Sequence, residues 1–164
     1  MVYQNKEVDA LGYLFTAHLM NDKNLSTIYN LALVLSKLGV DELAIIYFEK
    51  FISIIATESS EKMHEHLVNI YHLYAISLVR LNKLEDALCK LNLAIGQKKD
   101  PLFYFERGKI YFYLKKYEKA LEDFNLVINE EIKIVDLGSY FFLTKTALEK
   151  ESEKTKELLK QKLI

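Results

Sequence analysis

Apolar residues recur at helical spacing along most of the chain. Between Ile28 and Ile52 they fall at Ile28, Leu31, Ala32 and Leu35, pause over Gly39-Val40-Asp41, and resume at Ala44, Phe48, Phe51 and Ile52. Steps of three and four set such residues on one stripe of an α-helix, a stripe that needs burial. The same alternation of stripe, short polar break and stripe returns further along. It predicts a helix near 6–20, then pairs near 25–38 and 41–56, 63–81 and 84–97, and 101–114 and 117–130, with a last pair near 136–150 and 152–163. The breaks carry stop and start signals. Gly39 suits the left-handed residue that follows a helix. Asp41 is placed to cap the next helix, and Asn82 with Glu85 reads as a capping box. Asp100-Pro101 sets a cap residue before a proline at the first helical position.

The stripes repeat as units. Residues 71–95 align with 104–128 at an offset of 33, pairing Tyr71 with Tyr104, Ala75 with Gly108, Leu84 with Tyr117, Ala87 with Ala120, Leu91 with Phe124 and Ile95 with Ile128. An upstream copy sets Ala44 in the place of Ala87, 43 residues earlier, and the polar stretch Thr57–Glu65 accounts for the nine residues beyond a repeat of 34. Ala10 lies 34 residues before Ala44 and, with Leu14 and Ala17, reads as the second half of a repeat.

These residues resemble the tetratricopeptide repeat. Tyr104, Gly108, Tyr111, Tyr117, Ala120 and Phe124 match the family pattern, as do Tyr71, Ala75, Leu78, Ala87, Leu91 and Ala94. Ile28, Ala32, Leu35, Ala44 and Phe48 match it too, with bulky Phe51 where a small residue is usual. The resemblance is strong over about residues 25–130 and implies an all-α fold, a right-handed superhelix of antiparallel helix pairs. The implied organisation is one domain, 1–164: an N-terminal half-repeat or capping helix (1–24), a first repeat (25–56), an insertion (57–65), a second repeat (66–100), a third (101–134) and a degenerate C-terminal repeat or cap (135–164). Ala32, Ala75 and Gly108 then face Ala44, Ala87 and Ala120 where paired helices cross, and a larger side chain there would overpack. Because only a neighbour can cover the open edge of a repeat, the ends need caps. The tail fits, with Glu151/Lys154, Glu153/Lys156 and Glu157/Lys160 outside and Leu158, Leu159 and Leu163 on one face.

In the family, exposed positions of each first helix line a concave surface that contacts a peptide. Carried onto this chain, the first repeat supplies Ser26, Tyr29, Asn30, Leu33 and Lys37, and the second supplies Asn69, His72, Leu73, Ile76, Val79 and Arg80. The third supplies Leu102, Phe105, Glu106, Lys109, Phe112 and Tyr113, with Phe141, Phe142 and Lys145 following in the last segment. A family subgroup clamps the C-terminal carboxylate of chaperone tails with Lys, Asn and Arg. Here Tyr29, Leu33, Leu73, Leu102 and Glu106 hold those positions, so the clamp is absent. The remaining surface is apolar enough to mark an interaction site. The expectation is a groove for an extended or helical segment with apolar anchors, its acidic groups met by Lys37, Arg80 and Lys109. Coverage of that surface by the N-terminal helix, the insertion or a second copy is the alternative.

Composition narrows the function. The formal net charge of −1 argues against binding nucleic acid or anionic lipid by bulk charge. With 51% hydrophobic and 27% charged residues, the chain can build a packed core. Only one Pro and five Gly favour long helices over a sheet sandwich. No run is long and apolar enough for a membrane span, and the N-terminus has no export-signal pattern, so a cytoplasmic location is expected. The lone Cys89 permits no internal disulfide and is expected to pack inside the second repeat. His18 reads as a packing residue. His64, His66 and His72 lack metal-ligand spacing, and no metal or cofactor is expected. Phosphate-loop, dinucleotide, metalloprotease and nucleophile-elbow motifs are missing, so an enzyme is not expected. The reading is a protein-interaction module or adaptor for a protein or peptide partner, with a dedicated secretion-type chaperone or a self-assembling structural subunit, including a homodimer, as alternatives.

Overall fold

The computed structural model describes residues 2–57, 64–128, 134 and 136–162, leaving aside the side chains of 2–5, 64–65 and 158–162. The expected Thr57–Glu65 insertion, the Glu157/Lys160 pair and the leucines of the tail therefore lie largely outside the described residues. Eight helices and no strand occur among the described residues. The chain divides into two compact units, Met1–Lys98 and Lys99–Ile164.

The first unit holds α1 (Val2–Met20), α2 (Leu25–Lys37), α3 (Asp41–Thr57), α4 (His64–Arg80) and α5 (Leu84–Gln97). Helices α2 and α3 pair, α4 and α5 pair, and α4 packs on both α3 and α2. The stripes go where their spacing sends them: Ile28, Leu31, Ala32, Ala44, Phe48, Ile70, Ala75, Ala87, Leu91 and Ala94 are buried. Phe51 is fully buried as well, and its ring lies 5.8 Å from that of Tyr29. Helix α1 covers the open side of this stack, packing on α2 and setting Phe15 and His18 against the Tyr47 ring. The His18 ring meets Tyr47 at 5.4 Å with Nε2 3.4 Å from Lys50 Nζ, as a packing residue would.

The second unit holds α6 (Pro101–Tyr113), α7 (Tyr117–Ile128) and α8 (Leu137–Lys162). Its core is Phe105, Ala120, Phe124, Val127 and Leu137. Gly108 shows why the crossing needs a minimal side chain: a Cβ there would stand 2.5 Å from Phe124 Cε1. In place of the expected pair near 136–150 and 152–163, one helix of 26 residues runs through. Neither Gly nor Pro interrupts Ala147–Lys162, and its Glu and Lys residues favour an unbroken helix.

The turns inside the three pairs share one geometry. Gly39, Asn82 and Lys115 are left-handed, at φ 74°, 58° and 58°. Their N–H groups bond back to Ser36, Val79 and Phe112, and the following N–H groups reach Leu35, Leu78 and Tyr111. These are Schellman closures of α2, α4 and α6. Asn82 thus ends a helix, and the expected capping box with Glu85 does not form; α5 starts after Lys83 without a side-chain cap. Asp41 likewise is the first residue of α3 and not its cap, because the Val40 carbonyl already takes the Ala44 N–H. Asp100 caps α6 as expected, its carboxylate accepting from Leu102 N–H with Pro101 following.

Candidate interaction faces

Two contacts bring the first helices α2 and α4 side by side. The Asn69 amide donates to the Tyr29 hydroxyl at 2.6 Å, and the Ser36 and Ser77 hydroxyls meet at 3.1 Å. Along the strip so formed, Tyr29, Leu33, His72, Leu73, Ile76 and Val79 are half-buried, while Ser26, Asn30 and Lys37 are exposed. The Tyr29 ring is held between Phe51 and the His66 imidazole, 4.7 Å away. This fixes its orientation without a strand or loop.

Arg80 closes one end of that strip. Its Nε and Nη2 donate to the two Asp41 oxygens at 2.8 and 2.6 Å, and Nη2 also reaches the Ser36 carbonyl at 2.8 Å. The guanidinium was expected to meet a ligand's acid. Its fork is instead engaged by an acid of this chain, nearly buried at the start of α3. Those hydrogen bonds hold the Asp41 carboxyl below the usual carboxylate range against the opposing effect of burial.

The corresponding positions of the second unit look different. Phe105 was expected on the peptide surface, yet it is buried, 5% exposed, with Phe124 and Tyr140 rings each 6.0 Å away. The physical reason is α8, whose Tyr140 and Leu137 come down on α6 and α7. Phe112 is half-buried against Tyr113, Tyr117 and the same Tyr140. Tyr113 stays 53% exposed, with its hydroxyl 2.7 Å from that of Tyr140. That contact, followed by burial, pushes the Tyr140 phenol up to about 12. Lys109 is engaged within its own helix, 2.7 Å from Glu106 and over the Phe105 ring. Phe141 packs on the core, whereas Phe142 and Lys145 are exposed.

One polar pair was not anticipated. Arg107 Nε and Nη2 donate to Asp123 at 2.8 and 2.6 Å, joining α6 to α7 inside the core. The register hides it, since the preceding repeat has Tyr74 and Lys90 at these places, the ammonium 4.6 Å over the ring. Burial pushes the Asp123 carboxyl up, although Arg107 pulls the other way, and Asp123 in turn raises Arg107.

Other expectations fall out differently. Cys89 is exposed, not packed. Helix α5 buries the arc Ala87, Leu88, Leu91 and Ala94, and Cys89 lies off it in a cleft of about 320 Å³ with Tyr74, Lys83 and Lys90. No group of His, Cys, Asp and Glu among the described residues is arranged to hold a metal ion; the side chain of His64 lies outside them. No described helix is long and apolar enough to cross a membrane.

Two tetratricopeptide repeat family models match, at residues 25–58 and 101–131. No curated protein matches the chain as a relative. Among solved structures, MamA superposes with a TM-score of 0.76 at 16% identity, over 96% of this chain and 82% of that one. YrrB, described as a tetratricopeptide repeat protein with an unusual peptide-binding site, gives 0.72 at 19% identity over 90% and 72%. A tetratricopeptide repeat protein from Parabacteroides merdae gives 0.72 at 19% over 93% and 57%. At these identities the likeness is one of fold.

Proposed function

We propose, for a chain that belongs to the tetratricopeptide repeat family and hence to a class of protein-interaction modules, that it holds a peptide or helical segment of a partner on the α2–α4 face. The observation that carries this reading is the Tyr29–Asn69 bond. It aligns two first helices so that Leu33, Leu73 and Ile76 stand half-buried on one strip. Completing the burial of one such side chain contributes up to about 1.5–3 kcal/mol, and a few of them support micromolar binding after ordering costs. The adaptor role and a cytoplasmic setting belong to the same proposal.

Site-specific photo-crosslinking tests it. A benzophenone amino acid at Leu33 or Leu73, with the full chain in extract of its own host, is expected to form a defined adduct. The same group at Ile46, exposed on α3, should give none. Equal adducts at all three positions, or none at Leu33 and Leu73, overturn the reading. An adduct with the mass of two copies assigns the face to self-association.

A further inference from the structure

We infer that the chain associates head to tail, α8 of one copy pairing with α1 of another to complete a repeat between them. This goes beyond the α2–α4 face and uses none of its residues. Helix α1 holds the place of a second helix, since it packs on α2 as α3 packs on α4. Ala10, Tyr13 and Leu14 then stand where Ala44, Tyr47 and Phe48 stand 34 residues on. Those three are buried, whereas Ala10 and Leu14 are half-buried and Tyr13 is 79% exposed. Among the described residues α1 has no first helix to pair with. Helix α8 is the converse. It packs on α7 and α6 as α4 packs on α3 and α2, so it is a first helix, and it runs on unbroken where a second would begin. Leu137 and Thr144 are buried like Phe103 and Ile110, 34 residues earlier, which fixes the register. Phe142 and Lys145, expected on the peptide surface, therefore occupy the places of Gly108 and Tyr111, which face the second helix α7. Phe142 is 67% exposed there.

The third pair shows what the two bare faces do together. Within it Asp123 meets Arg107, Phe124 lies against Gly108, and Lys119 Nζ stands 5.8 Å from the centre of the Tyr111 ring. Carried to α1 and α8, the same three contacts set Tyr13 against Phe141, Leu14 against Phe142 and Asp9 against Lys145. Two are apolar and the third is an ion pair. Asp9 and Lys145 are both exposed, and neither has an ion-pair partner among the described side chains. The bulk of Phe142 and Leu14 at one crossing sets the helix axes further apart than in α6–α7, toward the upper end of the usual range of about 8–10 Å. The whole helices agree in charge. Besides His18, α1 carries Lys6 against Glu7 and Asp9, while α8 carries six Lys against four Glu. Such an interface joins unlike surfaces, so a pair of copies still presents one face of each kind.

Sedimentation velocity on the full chain at low salt tests this. The mean mass is expected to rise above that of one copy as the concentration is raised. Phe142→Glu should weaken association about tenfold or more, and Asp9→Lys or Lys145→Glu about fivefold each. Mixing these last two variants should restore it, because the reversed charges then meet between unlike copies. Variants that fail to fold could not be rescued in this way. Leu93→Glu, at an exposed position of α5, should change nothing. A chain that keeps the mass of one copy up to its solubility limit overturns the inference. Association that survives Phe142→Glu, or is equally lost on Leu93→Glu, overturns it too. If Asp9→Lys weakens association and Lys145→Glu does not, α1 pairs with something other than α8 and the register is wrong. Mixing without restoration refutes the head-to-tail contact itself.

Discussion

Helix α4 and helix α6 occupy the same place in successive repeats, yet they end in different surroundings. His72 and Ile76 of α4 lie half-buried along a strip shared with α2, while Phe105 of α6, one repeat on from His72, is core. Their arginines differ in the same sense. Arg80 reaches from the end of α4 across to the preceding pair and stays 40% exposed, whereas Arg107 reaches across its own pair and is 19% exposed. One pair of charges ties repeat to repeat at the edge of a surface; the other ties helix to helix inside a core. A repeat position thus has no fixed role, because what packs on the helix from the next element decides whether a side chain is surface or interior.

The sharpest way to break the comparison is to remove each arginine. Arg107→Met leaves the Asp123 carboxylate buried without its partner and is expected to cost about 3–5 kcal/mol in urea unfolding. Arg80→Met, at a more solvated site, should cost about 1–2 kcal/mol after allowing for screening. Equal losses would erase the distinction between seam and core.

Helix crossings come next. Gly108→Ala drives a Cβ into the Phe124 ring and should lower the melting temperature, the overpacking of about 1–3 kcal/mol exceeding the helix-propensity gain of about 0.5–1 kcal/mol. Ala120→Leu, at a fully buried position of the facing helix, should lower it too. An unchanged melt in both would contradict the close approach of α6 and α7.

The two carboxyls should titrate in opposite directions. Asp41 is lowered, so its pair stabilises the fold above the unfolded carboxylate value of about 3.9 and that contribution is lost as pH falls through the folded value. Asp123 is raised, so its ionisation is less favourable in the folded state. Stability from this group therefore rises as pH falls through its folded value toward about 3.9. Carboxyl NMR titration should place the Asp123 midpoint above that of Asp41, and the loss caused by Arg107→Met should shrink on acidification. Coincident midpoints would refute the contrast.

The smallest effect is expected at the turns. Lys115 holds the left-handed angle that Gly39 holds in the first pair, and Lys115→Gly should stabilise by about 0.5–1 kcal/mol. Gly39→Ala should destabilise by about the same amount, both read from urea midpoints.

Much of the fold was legible because burial acts through periodicity. The stripes from Ile28 to Leu35 and from Ala44 to Phe48 already fix helices and the faces they bury, and Ala32, Ala75, Gly108 and their partners mark where those helices touch. The likeness of Asn82 and Lys115 to Gly39 was hidden, since a left-handed angle leaves a firm signature only when glycine supplies it. The unbroken α8 was hidden too. Repeat logic called for a break, while the residues from Ala147 onward have no reason to make one.

By itself, then, the order of large, small and polar residues determined an all-α repeat chain with helix pairs at the expected places. This is possible because helix formation and stripe burial depend on neighbours three and four positions away. Which charges are engaged and which rings are exposed depends on side chains some 16 to 44 residues apart, as in Arg107–Asp123 and the Arg80 guanidinium with the Ser36 hydroxyl. Only the tertiary structure could decide that Arg80 is engaged, that Phe105 is interior and that Lys37 is exposed. The burial of each charge and ring follows from what the rest of the chain lays against it.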